Sequence, residues 1–245
     1  KAEDTLHWAK TLHAKGGREN LFIKIPGTPE GLGAIEEAIF AGVPINVTLL
    51  FSPSQYLACA EAYTRGIERR IDAGLSPHVA SVASLFISRW DSAVTDKVPA
   101  DLNLKLGMAV GAAAYAEYVA FYQSDRWTAL KAKGAKPQRL LFASTGTKDP
   151  SAPKTMYVEG LAAPDTVNTM PEETLLALAD SGVTIRALPT DGADARAMLA
   201  RFDEAGISIE GLGLELQQKG ADAFNKSWES LMARIDEKAK AVTGA

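Results

Sequence analysis

Lys24 stands in Leu21-Phe22-Ile23-Lys24-Ile25-Pro26, a short apolar run that reads as a buried strand. A charge is rarely placed in such a run without a partner or a task. Burial disfavours the ammonium form and lowers a lysine from its reference pKa of about 10.4. The neutral amine attacks a ketone and forms a Schiff base. Lys24 is therefore a candidate covalent nucleophile. Taken alone, a lysine of this kind is more often a strand-end residue whose head group snorkels to water.

Further polar residues alternate with apolar ones in later runs. In Ile45–Phe51, Asn46 and Thr48 share one face, and Val47, Leu49 and Phe51 the other. In Val79–Ile87, Ser84 and Phe86 oppose Leu85 and Ile87, and Phe22 and Lys24 likewise oppose Ile23 and Ile25. Asn46 and Thr48 are able to hold a hydroxyl or a water beside the lysine. They also suit the solvent face of an edge strand, and Ser84 alone reads as structural. Arg89, just past the third run, offers a forked donor for a phosphate or a surface partner for Asp91.

Five short apolar or β-branched runs organise the chain: Leu21–Pro26, Ile45–Phe51, Val79–Ile87, Arg139–Ser144 and Thr166–Thr169. Helical patterns separate them. Thr28-Pro29-Glu30 reads as N-cap, first helical residue and first-turn acid, and Gly42 closes that helix. Ser52-Pro53-Ser54-Gln55 has the form of a capping box. Other helices are expected over the first twenty residues and near 101–131, 171–181, 191–205 and 221–241. Alternating strands and helices argue for parallel β/α units. Polar residues on one strand face fit a barrel, whose inner face carries catalytic groups, better than an open sheet covered on both sides.

The sequence has 245 residues, 47% hydrophobic and 23% charged, with a net charge of -4. This suits a soluble globular protein and disfavours a nucleic-acid partner. No apolar stretch approaches the ~20 residues that span a bilayer. A single cysteine, Cys59, excludes an internal disulfide and, with no signal-peptide pattern, points to the cytoplasm. His7, His13 and His78 lack metal-ligand spacing, and the glycine pairs Gly31/Gly33 and Gly211/Gly213 lack a nucleotide fingerprint.

The ordered motifs resemble the transaldolase family. They are Leu-Phe-Ile-Lys24-Ile-Pro-Gly-Thr-Pro-Glu-Gly, Gly42-Val-Pro-Ile-Asn46-Val-Thr48-Leu-Leu-Phe51-Ser52, Ala62-Tyr-Thr-Arg-Gly-Ile-Glu68, Val79-Ala-Ser-Val-Ala-Ser84-Leu-Phe86-Ile-Ser-Arg89, Ala143-Ser-Thr-Gly-Thr-Lys-Asp-Pro150 and Thr166-Val-Asn-Thr-Met-Pro171-Glu. The match is closest to the branch that includes fusions with glucose-6-phosphate isomerase. The resemblance implies a (β/α)8 barrel of the pentose phosphate pathway, a transferase that needs no cofactor and no metal. It would move a dihydroxyacetone unit from sedoheptulose 7-phosphate or fructose 6-phosphate to glyceraldehyde 3-phosphate or erythrose 4-phosphate. Lys24 matches the Schiff-base lysine, with Asn46 and Thr48 as catalytic neighbours. Ser84, Phe86, Arg89 and Ser144 match substrate-binding positions.

Two departures stand out. Many family members have an arginine two residues after the equivalent of Ser144. Here that position is Gly146, and Lys148 is the nearest replacement cation, although Lys148-Asp149-Pro150 also reads as an ordinary turn. The family's acid/base carboxylates lie on the first and third barrel strands, and residues 1–245 match strands four to eight. The expectation is a single barrel-type domain over 1–245 with about five β/α units and a C-terminal covering helix (Phe224, Trp228, Leu231, Ile235). Its partners would be sugar phosphates and an N-terminal segment completing the same barrel. Two alternatives stay open: a fructose-6-phosphate-type aldolase releasing free dihydroxyacetone, and a non-catalytic fragment or subunit.

Overall fold

The computed structural model describes residues 2–243. Helix α1 (Ala2–Gly16) leads into β1 (Ile23–Pro26), and Pro29–Phe40 forms α2. Strand β2 (Ile45–Leu50) precedes α3 (Pro53–Asp72), and β3 (Ser81–Phe86) precedes α4 (Ser88–Val94), α5 (Leu106–Tyr122) and α6 (Asp125–Ala132). Strand β4 (Arg139–Ala143), α7 (Met156–Gly160), β5 (Val167–Asn168), α8 (Glu172–Ser181), α9 (Ala193–Glu204) and α10 (Ile209–Thr243) complete the order.

The five strands form one parallel sheet in the order β1-β2-β3-β4-β5. Right-handed crossovers between strands that advance in one direction place every connecting helix on the same face. This is the winding of consecutive (β/α)8 barrel units, not of a doubly wound sheet. The helix-covered face is the main core, with Ile25, Ile45, Val47, Leu85, Leu140 and Phe142 packed on residues of α2, α3 and α5. Local chemistry starts these helices as their sequences suggest. Ser52 and Gln55 close a reciprocal capping box, worth about 1 kcal/mol. Thr28 precedes Pro29 as N-cap without using its side chain, and Gly42, at φ 84, follows the α2 C-cap.

Three expectations require correction. Leu49 and Phe51 do not share the face of Val47. Leu49 adopts a left-handed φ of 61, and three residue steps of β2 (Val47 to Leu50) span the distance covered by two steps of β3 (Ala83 to Leu85). This bulge moves Leu50 into the main core and puts Leu49 and Phe51 in a second cluster with Phe86, Leu141, Phe202 and Leu216. The helical stretch near 101–131 is broken, with Ser124 capping α6 at the break. The last helix starts at Ile209, well before 221, and only its first part covers the strand ends. Beyond it, Phe224, Trp228, Leu231 and Ile235 are 50–62% exposed and cover nothing among the described residues. No helix of the described chain is long and apolar enough to cross a membrane.

Candidate active site

The open face of the sheet gathers the polar strand residues. Register pairs Lys24 with Asn46 and Pro26 with Thr48 across β1 and β2, so Lys24 and Asn46 point the same way from backbones about 4.8 Å apart. Ser84 Oγ donates to Asn46 Oδ1 at 2.7 Å across β2 and β3. That bond fixes the amide, because the oxygen is engaged and the two N–H donors are turned away from Ser84. Lys24 itself is exposed, where the sequence suggested burial. Its run is apolar because Ile25 packs into the core, whereas β1 is an edge strand and the face carrying Lys24 is uncovered among the described residues.

Thr48 is 4% exposed and its Oγ1 has no hydrogen-bond partner among the described residues. A buried hydroxyl left unpaired costs about 1–3 kcal/mol. That hydroxyl lies on the strand face of Lys24 and Asn46, buried and without a protein partner among the described residues. Thr48→Val should therefore stabilise the fold by about 1 kcal/mol while weakening whatever the hydroxyl serves. Denaturant midpoints set against adduct formation at Lys24 check this trade; a destabilised variant would refute it.

At the strand exits the loops are tied to one another. Beyond β3 and β4 the ladder continues, with Ile87 N–H donating to Ala143 O and Ser88 N–H to Ser144 O, both at 3.0 Å. Ser144 holds a left-handed φ of 58, and its Oγ lies 2.9 Å from Ser88 Oγ. Thr145 Oγ1 donates to Asn168 Oδ1 and Thr169 O, joining the β4 and β5 exits. Gln217 of α10 donates to both Gly27 O (3.1 Å) and Leu49 O (2.9 Å), which lays that helix across the exits of β1 and β2.

Arg89 and Phe86 are adjacent: the guanidinium carbon lies 5.1 Å from the ring centroid. Arg89 does not pair with Asp91, as the sequence allowed. Asp91 is 5% exposed and takes N–H donors from Leu106 and Gly107 at the start of α5 and the Tyr157 hydroxyl of α7, at 2.6 Å. Burial raises the Asp91 carboxyl above its usual range, against the lowering pull of Tyr157, Gly107 and Leu106. On the other side of Arg89 runs Gly220 of α10, where a Cβ would come 2.8 Å from Leu49 Cδ2 and 3.4 Å from Arg89 Nη1. Gly220 lets the helix approach this closely.

Lys148 is exposed and lines a recess of about 400 Å³ with Ser88, Asp91, Ser92 and Tyr157. Gly146 has a local cause: a Cβ there would lie 2.9 Å from Pro171 Cγ. Cys59 is buried in α3, its thiol pushed up to about 12 by desolvation. Ser88, Asp91, Tyr157 and Gln217 were not foreseen as site residues. The one available sequence signal was Ser88, directly before Arg89; the others depend on contacts distant in sequence.

The family model for transaldolase/fructose-6-phosphate aldolase matches residues 1–235. A transaldolase of Neisseria gonorrhoeae is 43% identical over 236 residues, covering 96% of this chain and 67% of its own length. Transaldolases of Frankia alni and Acidothermus cellulolyticus are 44% and 45% identical, covering 96% and 95% of this chain and 66% and 65% of their own. The chain thus spans about two thirds of the length of these curated relatives. A matched family model over nearly the whole chain, together with five parallel strands wound in one direction, places the chain in the transaldolase/fructose-6-phosphate aldolase family.

Proposed function

We propose that the chain carries the Schiff-base half of a transaldolase site. The observation that carries this reading is the alignment of Lys24, Asn46 and Ser84 on one open sheet face, with the unpaired Thr48 hydroxyl beside them. The Lys24 amine condenses with the ketone of a ketose phosphate and releases water. The protonated imine draws electrons from the C3–C4 bond, the aldose phosphate leaves, and a dihydroxyacetone enamine stays on the lysine. Attack of the enamine on an acceptor aldehyde and hydrolysis of the new imine complete the transfer. Asn46 and Thr48 hold hydroxyls or the hydrolytic water. Arg89, beside Phe86, and Ser144 hold the phosphate, with Lys148 as the further cation.

Among the described residues, none of the strand residues on that face is Asp or Glu. We infer that the acid/base carboxylate arrives on polypeptide pairing with the free edges of β1 and β5, closing the barrel as one domain. The greater length of the relatives supports this. A cytoplasmic setting accords with the lone buried cysteine.

Fructose 6-phosphate followed by borohydride should leave a reduced adduct on the Lys24 peptide. An adduct elsewhere, or none, would sink the assignment. Because the family description joins transaldolase with fructose-6-phosphate aldolase, acceptor dependence separates the two. Free dihydroxyacetone released without an aldehyde acceptor would favour the aldolase.

A further inference from the structure

We propose that Ser88 is a positioning residue that fixes the Ser144 hydroxyl as a donor toward the substrate phosphate. Ser88 is 1% exposed, and its Oγ has one hydrogen-bond partner among the described residues, Ser144 Oγ at 2.9 Å. Each hydroxyl has one proton and two acceptor lone pairs. If Ser144 donated, the proton of Ser88, a residue only 1% exposed, would have no acceptor among the described residues, a costly arrangement. Ser88 therefore donates and Ser144 accepts. The Ser144 proton is left without a protein acceptor on a half-buried residue at the strand exit, next to the recess lined by Ser88 and Lys148. The left-handed backbone of Ser144 is held by the Ser88 N–H to Ser144 O bond, so one residue sets both the backbone and the hydroxyl. A fixed donor selects a ligand that only accepts, and a phosphate oxygen is such a ligand.

The inference rests on the proposed function only for the identity of the ligand. Its test therefore begins with inorganic phosphate, whose binding needs no lysine chemistry and is followed by phosphorus NMR titration. Ser88→Ala should weaken phosphate by about three- to tenfold, the range of one neutral hydrogen bond. Ser88→Thr should restore it. In a Ser144→Ala background, Ser88→Ala should cost nothing more, because it acts through Ser144. Should the alanine variant fail to fold, Ser88→Cys, with its weak donor, takes its place. Borohydride trapping should follow the same pattern: half-saturation with fructose 6-phosphate rises relative to that with dihydroxyacetone, which has no phosphate. Unchanged phosphate binding in Ser88→Ala, an equal loss in the Ser144→Ala background, or no phosphate binding by the parent protein would overturn the proposal. Phosphate effects as expected, with no adduct on Lys24, would instead defeat the Schiff-base reading and leave this one standing.

Discussion

Lys24→Met should abolish the borohydride-stable adduct, with a fall of at least about a thousandfold in adduct formed in a fixed time, the scale on which loss of a covalent nucleophile acts. Methionine matches the reach of the lysine stem and has no amine, so it removes the chemistry and little else. The fold should tolerate it. Lys24 is exposed on an edge strand, and its neighbours Ile25 and Val47 keep their places in the core. Stability should therefore stay within about 0.5 kcal/mol, the ordinary range for an exposed substitution. Lys10→Met, on an exposed position of α1, is the matching control and should keep the adduct. Intact mass after reduction reads both variants. An adduct that survives in Lys24→Met would place the reactive amine at another lysine. The bond between Ser84 and Asn46 sharpens the expectation, because its geometry does not depend on Lys24. Asn46 should stay ordered in the variant, so lost adduct reports the missing amine and not a collapsed site.

All five strands were legible because each is short, apolar or β-branched, and bounded by a turn signal, and because the parallel order needs only local alternation. Lys24, Asn46 and Ser84 were legible for the same reason: period-two patterning puts them on one face. What escaped the sequence depends on non-local contacts. Nothing around Leu49 announces a left-handed residue, since it is neither glycine nor asparagine; Gln217, 168 residues away, donates to its displaced carbonyl. The exposure of Lys24 follows from β1 lying at the sheet edge, which its own apolar run does not reveal. The stripe of Phe224, Trp228, Leu231 and Ile235 was correctly seen as amphipathic, but a helical period says nothing about whether a partner surface lies beside it. Asp91 looked like a partner for Arg89 because they are near in sequence, whereas its donors come from α5 and α7.

Asp91 gives the second large effect. Asp91→Ala should destabilise the protein by about 3 kcal/mol, because it strands the Leu106 and Gly107 N–H groups and the Tyr157 hydroxyl in a buried place. Asp91→Asn should lose less than about half of that: its amide oxygen still accepts from the α5 amides, and its NH₂ donates to the Tyr157 oxygen. The two variants also separate on pH. Burial raises the Asp91 carboxyl above its unfolded value of 3.8, so the folded state binds that proton more tightly than the unfolded state. The stability tied to this proton is complete below 3.8 and is lost as pH rises through the folded value. Asparagine has no such proton, so Asp91→Asn should look worst against the parent in acid and gain on it toward neutral pH. Denaturant midpoints across that range measure the difference; a gap that widens with rising pH would show that the three bonds, not desolvation, govern the carboxyl. The cost reaches the site through α4, a helix of only two turns. Ser88 and Arg89 open it, and Asp91 anchors it to α5 and α7. Removing the anchor in Asp91→Ala should therefore raise half-saturation for fructose 6-phosphate more than for dihydroxyacetone, since the freed residues are those assigned to the phosphate end.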